Sequence, residues 1–263
     1  MRAKYLLRGL AGVYLAIVLV APLVFVFWSA FRHGLGPFWS AISTPEAVAA
    51  LKLTLITAIV AVPANTIFGI LAALALTRRT FRGRRVFGAL IDLPLALSPV
   101  VVGLALVLVW GESGWFGPWM IDHGIPVVFS TPGIILATVV VSLPFVTREL
   151  VPVLNELGVE QQEAAATLGA SPLHIVWRIT LPAIRYGLAY GIVLTTARVV
   201  GEFGAVAVVS GNIAGQSQTM TLFVENRFQA FDPVGAYSAS VVLALISVVT
   251  VAAMRVFNRR GIR

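Results

Sequence analysis

The sequence predicts an all-α, polytopic membrane protein with six transmembrane helices, and three observations carry that prediction. Of the 263 residues, 59% are hydrophobic and only 11% are charged; mean hydropathy is +0.94. A soluble domain of this length carries about 25% charged residues, and a buried core alone does not account for the deficit. Stretches of membrane length with few or no charges recur along the chain. The Lys and Arg residues between them gather in alternate connections.

The spans follow in order. Residues 10–31 hold no Asp, Glu, Lys or Arg. At about 1.5 Å per residue such a run crosses a hydrocarbon core of roughly 30 Å. Its basic flank (Arg2, Lys4, Arg8) also suits a signal peptide, but the run is too long and no small-residue cleavage site follows, so it counts as the first span. Residues 53–77 form the second. Residues 86–110 form the third, with Asp92 near its start. Residues 131–147 form the fourth and shortest, residues 186–209 the fifth with Arg198 and Glu202 inside it, and residues 233–253 the uncharged sixth. All belong to one transmembrane domain covering 1–263.

Orientation comes from the connections. Arg2, Lys4 and Arg8; Arg78, Arg79, Arg82, Arg84 and Arg85; Arg148, Arg178 and Arg185; and Arg255, Arg259, Arg260 and Arg263 place fifteen cations on one side. Arg32, Lys52 and Arg227 place three on the other. The basic side faces the cytoplasm, which predicts both termini inside. Trp28, Trp39, Trp110, Trp115 and Trp119 fall at or beyond the outer span ends, where amphipathic rings settle. A short helix on the outer surface is expected within 115–126. The net charge of +8 is read as orientation, not as a nucleic-acid surface.

Several chemistries are excluded. There is no cysteine, hence no disulfide, thiolate metal site or Cys nucleophile. The only lysines, Lys4 and Lys52, do not follow a glycine, so the chain lacks the Gly-Lys-Ser/Thr turn that cradles nucleotide phosphates. His33, His123 and His174 stand apart, without metal-ligand spacing. No Gly-x-Ser-x-Gly or His-Glu-x-x-His is present. Neither a cofactor nor a catalytic residue is expected in this chain.

The polar stretch at 156–182 falls in the fourth connection, on the cytoplasmic side. Ala164, Ala165 and Ala166 are strong helix formers. Glu156, Glu160 and Glu163, spaced by four and three, are expected on one helix face. Gly169 suits a left-handed C-cap, and Ser171-Pro172 suits an N-cap and first helical position. Leu181-Pro182 is expected to end the second piece. The prediction is two short helices with a tight bend, outside the bilayer. A plain surface hairpin meets the same local rules.

The order Glu163, Ala164, Ala165, Gly169, Leu181, Pro182 resembles the cytoplasmic EAA loop of permease subunits of binding-protein-dependent ABC importers. Residues 65–108 and 201–225 are similar to the W-type permease subunits of sulfate and thiosulfate importers. The segment Gly201-Glu202-Phe203-Gly204 is shared with molybdate and T-type sulfate permeases, and the continuation 205–211 with Gly215-Gln216 favours the W-type. The resemblance implies a type I ABC importer permease (MetI-like) fold in the inner membrane. It implies coupling of Glu163, Ala164, Ala165, Gly169, Leu181 and Pro182 to a separate dimer of ATP-binding subunits, which would bind ATP and Mg. A homologous T-type permease, a periplasmic sulfate-binding protein and membrane lipid complete the implied partners. A molybdate or tungstate importer is the alternative, with an ion-driven carrier and an intramembrane enzyme further off.

Four further positions carry two readings each. Arg198 and Glu202, four apart, either line an oxyanion path or form a neutralised packing pair. Packing leads, because a binding-protein importer needs no tight site in the membrane. Asp92, followed by Pro94 and Pro99, either lines a cavity with freed carbonyls or sits at a helix N-terminus favoured by the dipole. Asn65, beside Pro63, poses the same choice between pathway and packing. The outer loop 210–217 either touches a partner or is an unspecialised turn.

Overall fold

A computed structural model describes the backbone of residues 2–260 and the side chains of residues 8–252. Arg2, Lys4, Arg255, Arg259, Arg260 and Arg263 of the charge count lie outside the described side chains. Among the described residues the regular structure is helical. The first span is one helical run made of α1 (Arg2–Leu15), a π-helical turn (Ala16–Val20) and α2 (Ala21–Phe31). The short α3 (Leu35–Ile42) leads to α4 (Pro45–Arg78), which has 34 residues and contains the second span. Thr44 caps α4, its side chain accepting from Ala47 N–H at 3.2 Å.

The third span, expected as one segment, is instead two helices, α5 (Arg84–Ala96) and α6 (Pro99–Trp110), bent by 111°. Pro99 is the cause. Its ring disfavours the helical region for the residue before it, and Ser98 is extended at φ −62°, ψ 137°. Within 115–126 the chain forms the short α7 (Gly117–Asp122). The fourth span runs on through α8 (Thr131–Ser142) and α9 (Pro144–Leu157), past its expected end at 147.

Next come α10 (Glu160–Thr167), α11 (Pro172–Ile175), a second π-helical turn (Val176–Thr180) and α12 (Leu181–Val200). Leu181-Pro182 was expected to end a helix and does not. Leu181 N–H donates to the Val176 carbonyl, five residues back. The widened turn moves carbonyls away from the Pro182 ring and leaves its missing N–H without consequence. The same device precedes Pro22, where Ala21 N–H donates to the Ala16 carbonyl.

The fifth span, expected at 186–209, ends at Val200. After a break at 201–203 the chain forms the separate α13 (Gly204–Val209), then α14 (Met220–Gln229) and α15 (Pro233–Arg260). Among the described residues, four stretches are long and apolar enough alone to cross a membrane: Arg8–Phe31, Pro45–Arg78, Thr131–Leu157 and Pro233–Ala252. The bent α5–α6 pair makes a fifth. The 20-residue α12 is as long, but it carries Arg185 and Arg198.

Small residues set the helix packing. A Cβ at Gly69 of α4 would lie 2.5 Å from Val146 Cβ, and one at Gly191 of α12 would lie 3.3 Å from Val146 Cα. Around Val146, the buried Ala73, Leu150, Leu154 and Ile184 join α4, α9 and α12. A second cluster (Val102, Ala137, Val141, Ala205, Val209) joins the two broken-span pieces α6 and α13 to α8. Gly103 makes room there: an added Cβ would meet the Ala205 carbonyl at 2.8 Å.

Gly69→Ala is expected to destabilise the protein by about 1–3 kcal/mol through overpacking against Val146. Gly88→Ala, whose nearest neighbour is Leu76 Cδ2 at 3.7 Å, is expected to be neutral or mildly stabilising. Thermal unfolding midpoints in detergent compare the two.

Candidate functional site: the polar hairpin and the broken-helix node

The helix α9 ends at Gly158, whose φ of +65° only glycine adopts without strain. This break separates Glu156 from α10, so Glu156 does not share a helix face with Glu160 and Glu163 as expected. Those two occupy the first turn of α10, where the helix dipole favours carboxylates. The C-terminus of α10 closes on Gly169 at φ +85°. Gly169 N–H donates to the Ala166 carbonyl and Ala170 N–H to the Ala165 carbonyl, both at 3.0 Å. This is the Schellman arrangement, which holds the bend rigid. Ser171 then caps α11, accepting from His174 N–H at 3.3 Å.

The bend brings Glu163, Ala164, Ala165 and Gly169 onto one short hairpin. Glu163, Ala164 and Gly169 are exposed, and an added Cβ at Gly169 meets nothing within 4 Å. Leu181 and Pro182 are not brought there. Leu181 packs against the Val146 cluster, and Pro182 lies on the surface of the continuous helix. Three residues missed by sequence reasoning crown the hairpin: Leu168, Leu173 and Trp177 are 89%, 68% and 65% exposed. The signal was available as apolar residues at 173 and 177, four apart, in a segment placed outside the membrane. Behind the hairpin lies a groove of about 690 Å³, walled by Leu74, Arg78, Arg79, Gln162, Glu163 and Val176. Gln162 Nε2 donates to Thr180 Oγ1 at 3.2 Å and ties the hairpin to the base of α12.

Arg198 and Glu202 do not share one helix. Arg198 lies in the last turn of α12 and Glu202 in the break before α13. Arg198 Nη2 lies 2.8 Å from Glu202 Oε2, with the Glu202 side chain 2% exposed and that of Arg198 30%. Glu202 Oε1 accepts from Ala205 N–H at 3.0 Å and caps α13. Thr221 Oγ1 donates to the Glu202 carbonyl at 2.7 Å. The carboxylate is therefore occupied by its own protein, which favours the packing reading over the path.

Asn65 is fully buried and its Nδ2 donates to the Val139 carbonyl at 3.1 Å and Ser142 Oγ at 2.8 Å. It clamps α4 to α8. Asp92 lies well inside α5, not at its N-terminus, and Oδ1 accepts from Arg148 Nε at 2.8 Å, joining α5 to α9. The outer loop is tied, not loose. Asn212 N–H donates to Ser210 Oγ at 3.1 Å, Ile213 N–H to Ser217 Oγ at 3.2 Å, and Gln218 Nε2 to Asn212 Oδ1 at 3.0 Å.

Broken helices and a capped hairpin beside the arginine-rich connection set the frame for comparison with known proteins. Residues 65–263 match the family of binding-protein-dependent transport system inner membrane components. The chain belongs to that family and is a membrane protein. Within it, the chain is 49% identical over 259 residues to the sulfate transport system permease protein CysW of Synechocystis sp., covering 98% of this chain and 94% of that one. It is 43% identical to CysW of Escherichia coli strain K12, covering 94% and 85%, and 39% identical to CysT of the same strain, covering 90% and 86%. The fold matches a bacterial alginate ABC transporter in complex with an alginate pentasaccharide-bound periplasmic protein. The TM-score is 0.82 at 18% identity, covering 98% of this chain and 96% of that one. The MetNI methionine ABC transporter matches with a TM-score of 0.55 at 16% identity, covering 81% and 92%. The importer permease fold expected from the resemblance is the fold found.

Removing one member of the buried pair leaves the other uncompensated. Glu202→Ala is expected to cost about 3 kcal/mol or more. The double variant Arg198→Leu/Glu202→Gln, with the cap acceptor retained, is expected to recover most of that loss. Unfolding midpoints of the purified protein test it, and a double variant no better than the single one would overturn the packing reading.

Proposed function

We propose that this chain is one permease subunit of an ATP-driven importer that carries sulfate or thiosulfate across the inner membrane. Both termini face the cytoplasm in this reading. The chain holds no ATP site of its own. A dimer of ATP-binding subunits binds ATP and Mg, a T-type homologue completes the membrane pair, and a periplasmic binding protein delivers the anion. The substrate assignment draws its support from the 49% identical sulfate permease relative.

The observation that carries the mechanism is the rigid hairpin with its exposed apolar crest. An apolar crest on a water-facing segment is a protein-docking feature. Leu168, Leu173 and Trp177 supply the buried contact, while Glu163, Ala164, Ala165 and Gly169 let the hairpin seat closely in the ATP-binding subunit. Helix α11 continues through the π-helical turn into α12. A displacement of the hairpin is therefore delivered along α12 to its far end, where the Arg198–Glu202 node joins α13. Movement of one packed element against another is a common form of such switching.

Two measurements test this. ATP hydrolysis by the reconstituted complex is followed with the binding protein loaded in turn with sulfate, thiosulfate, molybdate or phosphate. Stimulation by sulfate and thiosulfate alone is expected. Stimulation by molybdate alone keeps the coupling mechanism and replaces the substrate. Gly169→Asp is expected to insert normally but to uncouple transport from hydrolysis, since a non-glycine residue at φ +85° strains the bend by about 1–2 kcal/mol. Normal uptake by this variant would sink the coupling role.

A further inference from the structure

Eight residues connecting α4 to α5 carry five arginines: Arg78, Arg79, Arg82, Arg84 and Arg85. The side required by orientation explains their number, but not their surroundings. Among the described residues the acidic side chains that form ion pairs engage other arginines: Arg148, Arg198 and Arg227. Arg79, Arg82, Arg84 and Arg85 are exposed and have no carboxylate within ion-pair distance. Only Arg78 is engaged, donating from Nη2 to the Leu154 carbonyl at 2.9 Å, and its buried Nε has no acceptor.

The ground beside these cations is largely apolar, with Gln162, Glu163 and Thr180 as the other polar groups of the groove. The groove behind the hairpin places Arg78 and Arg79 against Leu74, Val159, Ile175 and Val176. On the other side, Phe81 and Phe87 meet edge to face at 6.1 Å. From there α5 presents Val86, Leu90 and Leu93, exposed at 62%, 60% and 48% and spaced along one face. Unneutralised guanidinium groups at the end of a membrane-spanning helix, with an apolar floor beneath them, match a phosphate that carries acyl chains.

We propose that the 78–87 connection and the adjoining groove form a binding site for an anionic phospholipid of the inner leaflet. Its phosphate is held by Arg79 and Arg82 with Arg78, Arg84 and Arg85 around it, and its chains lie along Leu74 and the α5 stripe. A basic segment beside a spanning helix attracts anionic headgroups, and arginine pairs with phosphate in a bidentate fashion. An acidic protein surface would satisfy the charges but would leave the apolar stripe facing water. Free phosphate or sulfate would satisfy the cations and ignore the floor. The groove also lies under the hairpin, so the lipid supports it from the membrane side. The site rests on the orientation proposed above, with this connection on the cytoplasmic side, and is independent of the ion transported.

The test is lipid retention by the purified complex, read by native mass spectrometry after extraction from bilayers of mixed phosphatidylglycerol and phosphatidylcholine. The unaltered complex is expected to retain phosphatidylglycerol selectively, and inorganic phosphate is expected not to displace it. Arg79→Gln/Arg82→Gln keeps three cations for orientation and spares the Arg78 contact. It is expected to lower phosphatidylglycerol retention about tenfold while leaving phosphatidylcholine unchanged. Equal retention of both lipids by the unaltered complex, or unchanged selectivity in the variant, would overturn the site. Displacement by inorganic phosphate would reassign it to a free anion.

Discussion

The fold depends on the contact that Val146 makes with two glycines at once. Helices in lipid gain nothing from burying apolar surface against one another, because the surrounding chains are equally apolar. They associate by close packing, and close packing needs small residues. Val146 of α9 sits between Gly69 of α4 and Gly191 of α12. That contact holds the three helices as one body. It places the C-terminal end of α4 beside the start of α12, and so creates the groove behind the hairpin. The hairpin's position relative to the membrane therefore follows from two missing Cβ atoms.

Proline chemistry shapes what this body carries, in two opposite ways. Before Pro22 and Pro182 a π-helical turn lets the helix continue. Before Pro99 the chain straightens and the helix breaks. The residue type is the same, so the local sequence does not choose between the outcomes. At Pro182 the continuation matters most. It makes the hairpin and α12 one lever, ending at a capped break 30 Å or so away along about twenty residues at 1.5 Å each.

Charge follows a matching logic. Asp92 and Arg148 pair at a half-exposed position, while inside the body Glu202 pairs with Arg198 and bonds the α13 backbone, and the neutral Asn65 bonds α8. Buried polar groups left without partners are costly in low dielectric, so these side chains serve the structure. Among the described arginines that form no ion pair, Arg78, Arg79, Arg82, Arg84 and Arg85 collect at the α4–α5 connection.

Much of this was legible in the amino-acid sequence. Composition alone decided the membrane class, because 11% charge cannot clothe a soluble surface. Local rules decided the hairpin, since Gly169, Ser171 and Pro172 act on their immediate neighbours and the Schellman bonds span only six residues. The EAA order carried the family. Other features depended on partners distant in sequence. Asp92 pairs with Arg148 across two helices, and Asn65 reaches Ser142 over 77 positions. The two ends of the expected third and fifth spans became separate helices that pack together through Gly103 and Ala205. Hydropathy reads each segment alone and cannot see a break whose freed backbone is satisfied by another segment. Sequence by itself determined what each stretch could be. The tertiary structure decided which prolines bend, which charges are already occupied, and which faces remain open, because each of those is a property of a neighbour.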